Sequence, residues 1–154
     1  MYKTLFVACL LLASLSLSAQ ALPADSLPPL NQKMLSFAKK GKGKKYGRGI
    51  CAEFVSAAMK YTTGTGFWRP DYKLDLRTEP IQPGDVLYMS WYKRKRKMQS
   101  HVAIIVEVLE PHKVVVAHQN FNNQKFVVET TYDLRQQFRN GRQVMVYRAV
   151  NPEQ

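Results

Sequence analysis

Two β-prone runs joined by a short turn constrain the fold of this 154-residue chain more than any other feature. His101–Val108 and Val114–His118 are rich in valine and isoleucine, and Pro111 turns the chain between them. The pattern predicts an antiparallel hairpin. In such a hairpin, His101 at the start of one strand lies beside His118 at the end of the next.

Helical periodicity dominates the part of the chain before this hairpin. Asn31 is expected to cap a helix that runs to about Lys40, and a second helix is predicted to begin at Cys51 (CAEFVSAAMKY). Beyond the hairpin runs, the pattern predicts further strands at Val86–Met89, Lys125–Thr131 and Val144–Arg148, a helical turn at Asp133–Arg139, and loops at 67–80 and 91–97. Helices followed by an antiparallel sheet indicate an α+β fold in which N-terminal helices pack on the sheet.

The N-terminus has the pattern of a signal peptide. Lys3 precedes an apolar run from Leu5 to Leu17, and Ala19-Gln20-Ala21 has the small residues that a signal peptidase reads. We therefore expect residues 1–21 to be a signal peptide, 22–30 an extended lead-in, and 31–154 one domain. The protein would then be exported, to the periplasm or as a secreted protein, although an N-terminal membrane anchor is the alternative.

Cysteine content singles out Cys51. Cys9 lies within residues 1–21, so the mature chain keeps one cysteine and has no intramolecular disulfide. In an exported protein a lone cysteine indicates intermolecular pairing or a reactive thiol. A cysteine attacks as the thiolate, and both the start of a helix and a nearby histidine favour that form. A small buried apolar residue is the alternative role for a cysteine at this place.

The charge of the chain indicates its class of partner. The formal net charge is +12, and +11 remains once Lys3 is removed with the signal peptide. Such a field favours polyanions. For an exported protein we expect peptidoglycan or another anionic envelope polymer. No nucleic-acid-binding motif accompanies the basic residues, so nucleic acid is not expected, nor is stable membrane insertion after removal of the signal peptide.

The residues that can carry chemistry are one cysteine and two histidines. Cys51 is the candidate nucleophile and His101 its candidate base, while His118 or Asn120 would orient the base. The backbone amide of Cys51, at the start of a helix, can face a developing oxyanion. Zinc binding by Cys51, His101 and His118 is an alternative, but no closely spaced ligand pair supports it.

Four segments of the chain resemble, in order, the blocks of the NlpC-type and CHAP superfamily of papain-like cysteine peptidases and amidases. They are GKKYGRGICAEFVSAAMK, IQPGDVLYMS, SHVAIIVEV and VVVAHQNF, and together they lie within residues 34–121. The resemblance implies a papain-like fold with Cys51 as nucleophile and His101 as base. His118 falls at the third position as in NlpC-type enzymes, and Asn120 matches an asparagine of CHAP enzymes.

The resemblance also implies an activity. Most members cut peptide or amide bonds of peptidoglycan through an acyl-enzyme, so we expect cleavage in stem peptides by a Cys-His-His triad, with no metal or organic cofactor. Tyr46 resembles a tyrosine near the oxyanion site of NlpC-type enzymes. Because the basic segment before His101 should border the cleft, its residues Trp91, Tyr92 and Lys93 are candidates for substrate contact. Ser100 replaces a common glycine, and Ile50 and Ala52 replace the Asp and Ser of the NlpC block.

Two other functions are compatible with the sequence. One is a secreted toxin or effector that uses the same triad on another amide substrate. The other is a non-catalytic basic module that binds anionic envelope polymers, and this module would tolerate Cys51→Ala without loss of function.

Overall fold

The computed structural model describes residues 26–66, 72–93 and 97–150. The expected signal peptide lies outside these residues, as do residues 22–25 of the lead-in. None of the helices within the described ranges is both long enough and apolar enough to cross a membrane. The elements, in chain order, are α1 (Pro29–Gly41), α2 (Cys51–Thr63), β1 (Tyr72–Lys73), β2 (Val86–Lys93), β3 (Lys97–Glu110), β4 (Lys113–His118), β5 (Val128–Asp133), α3 (Leu134–Arg139) and β6 (Gln143–Arg148).

The six strands form one antiparallel sheet in the order β1-β6-β2-β3-β4-β5. The expectation of an α+β fold with N-terminal helices packed on an antiparallel sheet is confirmed. The hairpin of β3 and β4 is also present, with Ile104 paired to Ala117. Strand order places β3 and β4 near the middle of the sheet, where both are paired on each side.

Side-chain alternation along β3 divides the core in two. Val102 and Ile104 pack with α1 and α2, and we call this the helix-side core. Ala103 and Ile105 face the other way and pack with Leu134 of α3, in what we call the outer core. Because successive residues of a strand point to opposite faces, this register also decides which way His101 points.

The sequence interpretation was wrong about residues 91–93 and 97, and residues 94–96 of the expected loop lie outside the described residues. Trp91, Tyr92 and Lys93 continue β2, and β3 begins at Lys97, so His101 lies inside a strand and not at its start. Basic residues suggested a loop, but the two strands of a hairpin satisfy each other's backbone groups while the lysines stay in solvent. Similarly, Tyr72–Lys73 forms a two-residue strand within the expected loop, and β5 begins at Val128 instead of Lys125.

Asn31 does not cap α1, which begins at Pro29 after the N-cap Pro28, so the expected lead-in ends earlier than residue 30. Asn31 is buried, and its Nδ2 donates to the carbonyl of Pro83 and to Asp85 Oδ1, each at 2.9 Å. Asp85 is a fully buried carboxylate. It is bound bidentately by Arg148 at 2.8 and 2.9 Å. This network ties α1, the turn before β2 and β6 together.

Gly84 is required at this junction. Its φ is +91°, and a Cβ there would clash with the backbone of Asn31. A left-handed φ and the close approach of another backbone both favour glycine. The turn at Pro83-Gly84-Asp85 therefore places the start of β2 directly against α1.

Candidate active site

The rings of His101 and His118 are in contact. His101 Nε2 lies 2.6 Å from His118 Nδ1. Ala103 is in the outer core, and the strand period of two puts His101 on the same face. His118 contacts Phe121 and Tyr132 of that same core. The hairpin thus brings the expected base and its expected orienter together, on the sheet face opposite α1 and α2.

Hydrogen bonding extends beyond the pair. His118 Nε2 lies 3.0 Å from Thr130 Oγ1 on the neighbouring strand β5. A neutral imidazole has one N–H and one acceptor nitrogen. If His101 donates through Nε2, His118 accepts at Nδ1 and donates through Nε2 to the threonine hydroxyl. This assignment satisfies both contacts and leaves His101 Nδ1 unprotonated, which is the state that a general base needs. Thr130 was not identified from the sequence, because a threonine in a strand has no distinguishing pattern.

Both rings are neutral at neutral pH. Burial, followed by the nearby Arg142 cation, lowers the pKa of His101 from 6.5 to about 4. Burial, followed by the proximity of His101, lowers the pKa of His118 to about 3. Desolvation penalises the charged imidazolium and so lowers the pKa of a histidine. The two rings also cannot both be charged at contact distance, which further favours the neutral pair.

Aromatic packing fixes the pair in place. Phe121 lies 4.8 Å from the His118 ring and 6.3 Å from the His101 ring, between centroids. Tyr132 meets His118 edge-on at 5.9 Å. Such contacts restrict the rotation of both imidazoles and exclude water from His118, which is fully buried. Phe121 follows His118 closely in the sequence, but nothing in its spacing predicted this contact.

Cys51 is the first residue of α2, as expected from the sequence. Its N-cap, Ile50, has no side-chain oxygen, and no side-chain cap bonds to the helix start. Amides at an uncapped helix start remain available to an anion. The side chain of Cys51 is a free thiol, partly buried against the helix-side core. Within the described residues, Cys51 Sγ has no hydrogen bond to either histidine.

A buried glutamine links Cys51 to the histidine pair. Gln119, directly after His118, is fully buried and donates from Nε2 to the carbonyl of Ile50 at 2.7 Å. It also donates to the carbonyl of Tyr46 and accepts from the amide of the same residue. Cys51 therefore lies at the same end of the sheet as His101 and His118. Sequence reasoning missed Gln119, because a glutamine at a strand end is ordinarily a surface residue.

Glu53 holds the same segment from the other side. Its carboxylate accepts from the amide of Arg48 at 2.6 Å and pairs with Arg48 Nε at 2.9 Å. A hydrogen bond from Arg48 is the largest cause that lowers the pKa of Glu53. A glutamate at the third helical position that reaches back to preceding amides is a familiar N-terminal arrangement. The segment 46–50 is thus tied both to its own helix and to the sheet.

Tyr46 and Asn120 occupy different surroundings from the histidine pair. The Tyr46 ring packs against Phe37 and Phe54, at 5.2 and 5.3 Å between centroids, and burial raises the pKa of its hydroxyl. Asn120 is exposed in a turn with φ of 62°, and its Oδ1 is 3.5 Å from Lys125 Nζ. The third-group position at His101 Nε2 is held by His118 and not by Asn120.

The candidates for substrate contact continue β2 beyond the site. Met89 pairs with His101, and Trp91, Tyr92 and Lys93 follow along the strand away from the sheet centre. Tyr92 is 74% exposed, while Trp91 is half-buried beneath the Arg142 guanidinium at 4.7 Å from its ring. Arg142 also lowers the pKa of His101, so the same cation interacts with Trp91 on β2 and with the histidine pair.

Metal ligands are not clustered in the described ranges, which contain no group of three or more His, Cys, Asp or Glu side chains placed to hold an ion. A thiol at an uncapped helix start and a neutral, oriented imidazole at the same end of the sheet are the parts of a nucleophile–base pair.

Residues 40–120 match the family model of the CHAP domain. No curated protein matches the chain. In fold the chain is similar to two crystal structures of Ly7917, one of them with the hydrolyzing product of MDP. Each likeness has a TM-score of 0.55 at 12% identity and covers 77% of this chain and 62% of Ly7917. The chain thus spans less than two thirds of Ly7917, and at this identity the likeness concerns the fold alone.

Proposed function

The chain belongs to the CHAP domain family, and we propose that it is an exported cysteine hydrolase that cleaves amide bonds in peptidoglycan stem peptides. The observation that carries the proposal is the 2.6 Å contact between His101 and His118, made by two neutral rings at the end of the sheet where Cys51 begins α2. A buried neutral histidine oriented by a third group is what a general base requires. Membership of the family and the fold shared with Ly7917 support the same class of reaction.

The reaction proceeds in two stages. His101 Nδ1 accepts the proton of Cys51, and the sulfur attacks the amide carbonyl. The negative charge that develops on the oxygen is stabilised by the amide of Cys51 at the uncapped helix start. His101 then gives its proton to the leaving amine as the C–N bond breaks. Water, deprotonated by His101, cleaves the thioester to a carboxylic acid and restores the thiol. Catalytic hydrogen bonds often tighten only when substrate binds, so the proposal requires Cys51 and His101 to come into hydrogen-bond contact in the substrate complex.

His118 acts on His101 and not on the substrate. Its contact fixes the proton of neutral His101 on Nε2, so that Nδ1 stays free for the thiol. Burial prevents His118 from taking a second proton at neutral pH, since its pKa is about 3. The triad therefore differs from one with a carboxylate, because its third member orients the base without contributing a full negative charge.

Export and the substrate class rest on further observations. The N-terminal pattern of residues 1–21 supports export, and a net charge of +12 favours an anionic envelope polymer. Ly7917 was crystallised with the hydrolyzing product of MDP, so MDP is the small substrate to try beside intact peptidoglycan. Trp91, Tyr92 and Lys93 are proposed to contact the substrate from β2.

Digestion of purified peptidoglycan tests the proposal. Residues 22–154 and their Cys51→Ala variant are incubated with sacculi and with MDP, and the products are identified by mass spectrometry. His112→Ala, in the turn between β3 and β4, is the control for a histidine outside the site. New amine and carboxyl ends from the wild type and His112→Ala, and none from Cys51→Ala, are expected. Equal release by Cys51→Ala would overturn cysteine catalysis. Binding without release by any folded form would support a non-catalytic module in its place.

A further inference from the structure

Gln119 makes three hydrogen bonds to the backbone in front of the candidate nucleophile. Its Nε2 donates to the carbonyls of Tyr46, at 2.9 Å, and Ile50, at 2.7 Å. Its Oε1 accepts from the amide of Tyr46 at 3.1 Å. The reversed amide would set its oxygen against two carbonyl oxygens, so the contacts themselves fix the orientation. Only a primary amide supplies two donors and one acceptor in this way.

These bonds join the two halves of the site. Ile50 is the N-cap of α2 and directly precedes Cys51, while Gln119 directly follows His118. The carbonyl of Ile50 also accepts from the amide of Glu53 at 3.1 Å, so Gln119 fixes the first turn of the helix itself. Any displacement of the Gln119 amide moves the start of α2 relative to the strand that carries His118.

We propose that Gln119 is a positioning residue that fixes the start of α2, and with it Cys51, relative to the strand that carries His118. The proposal rests on the function proposed above. Segment 46–50 contains Gly47 and Gly49, both with positive φ, and gains rigidity from the contacts of Gln119. A nucleophile displaced by about 1 Å can lose on the order of a hundredfold in rate, so the position of this turn matters for catalysis.

A second connection nearby does not depend on the Gln119 side chain. The amide of Gly43 donates to the carbonyl of Val127 at 2.9 Å, and the amide of Val127 donates to the carbonyl of Lys44 at 2.8 Å. The segment after α1 and the segment before β5 thus remain joined when the glutamine side chain is replaced. Variants at position 119 should therefore fold and reveal an effect on the site.

Three variants in residues 22–154 test the proposal. Gln119→Met keeps the length of the side chain and removes all three bonds. Gln119→Glu keeps an acceptor but, when ionised, offers no donor to the two carbonyls. Gln32→Met is the matched control, because Gln32 also donates from Nε2 to a backbone carbonyl, that of Leu27 at 2.8 Å, outside the site. Peptidoglycan digestion is measured well below the melting temperature of every variant, so that all remain folded.

We expect Gln119→Met to lower kcat about tenfold to a hundredfold with KM unchanged, and Gln32→Met to match the wild type. Gln119→Glu should be impaired at neutral pH and should recover relative to the wild type as pH falls. Its buried carboxyl then takes up a proton and donates to one carbonyl. A loss of stability alone cannot produce this pH dependence in fully folded samples. Wild-type kcat in both Gln119 variants would overturn the proposal.

Alkylation of Cys51 by iodoacetamide separates this proposal from the proposed function, because it needs no substrate. The rate constant should change several-fold in Gln119→Met and Gln119→Glu, with the same recovery of the glutamate variant at lower pH, and should not change in Gln32→Met. If the wild type released nothing from peptidoglycan but the alkylation rates followed this pattern, positioning by Gln119 would stand and the proposed substrate would fall. If peptidoglycan were cleaved but substitution of Gln119 changed neither kcat nor the alkylation rate, the proposed function would stand and positioning by Gln119 would be refuted.

Discussion

The third member of the candidate triad, His118, is a neutral ring and not a carboxylate. Its ring contacts His101 at 2.6 Å and Thr130 at 3.0 Å, and we propose that it orients His101. We expect His118→Ala to lower kcat by about a hundredfold, because the base loses its fixed tautomer but keeps its nitrogen. His101→Ala and Cys51→Ala should abolish hydrolysis. The measurement is kcat on peptidoglycan, with folding checked by circular dichroism.

Thr130→Val provides a graded comparison for this prediction. It removes the hydrogen-bond partner of His118 Nε2 while keeping the shape of the side chain, so its loss of kcat should be smaller than that of His118→Ala. His112→Ala, which changes a half-buried histidine in a turn, should have no effect. A loss in His118→Ala as complete as in His101→Ala would contradict the orienting role and indicate that His118 itself transfers the proton.

The pH dependence follows from the two buried histidines. Their pKa values in the fold, about 4 for His101 and about 3 for His118, lie below the value of 6.5 for an unburied ring. Between these values the unfolded chain binds more protons than the folded chain, so stability rises with pH in that window. Stability should be complete above about pH 6.5 and should fall as pH drops toward 4.

Thermal unfolding across this pH range measures the effect. The melting temperature of the wild type should fall on acidification, and a variant with His101→Asn and His118→Gln should show a smaller fall because neither new side chain titrates. The acid limb of kcat/KM should lie near pH 4, where His101 gains its proton. An acid limb near pH 6.5 would show that the base is a solvated histidine and would contradict the buried pair.

At the scale of elements, one buried ion pair connects α1, the turn before β2, and β6. Asp85 has no exposed side-chain surface and Arg148 only 17%, whereas the Arg77–Asp75 pair has 89% of its arginine exposed. Arg148→Ala leaves the Asp85 charge buried and without its cation, so it should lower the free energy of unfolding by about 3–5 kcal/mol. Arg77→Ala is the matched control and should change it little, since exposed pairs contribute little. Urea denaturation measures both, and similar costs for the two variants would rule out a structural role for the Asp85 network.

The elements near the site were only partly predictable from sequence. The hairpin of β3 and β4 followed from valine and isoleucine content, and Cys51 was placed correctly at the start of α2 by the spacing of Phe54, Val55, Ala58 and Met59. The extension of β2 and β3 past His101 was missed, because lysine and arginine are rare in strands and pairing between exposed strands depends on the partner. Asn31 was read as a cap, since a local pattern gives no sign of the distant carboxylate of Asp85.

At the scale of the whole molecule, the order of blocks was more informative than any residue within them. The α+β fold and membership of the CHAP family agree with a resemblance carried by four segments in sequence order. Contacts between those blocks were harder to predict. Thr130, Phe121 and Gln119 lie around His118 because of the pairing of β4 with β5 and the docking of segment 46–50, and both depend on tertiary structure. The sequence alone does not indicate that a threonine, a phenylalanine or a glutamine will pack around a histidine of the candidate site.

The positive net charge of the whole molecule should affect how tightly it binds the proposed substrate. With 23 Lys and Arg against 11 Asp and Glu, the chain should bind polyanionic sacculi through a field that salt screens. The Debye length falls from about 10 Å at 0.1 M salt to about 3 Å at 1 M. Binding of Cys51→Ala, which cannot turn over the substrate, should therefore weaken by about tenfold or more across this range.

Sacculi stripped of their anionic polymers serve as the control for this measurement. Binding to them should be weaker and should depend less on salt, because fewer phosphates or carboxylates face the basic surface. Co-sedimentation with labelled protein gives the bound fraction at each salt concentration. If stripped and intact sacculi bound equally, and salt had no effect on either, recognition would depend on contacts within the cleft. The positive charge would then have no part in selecting the substrate.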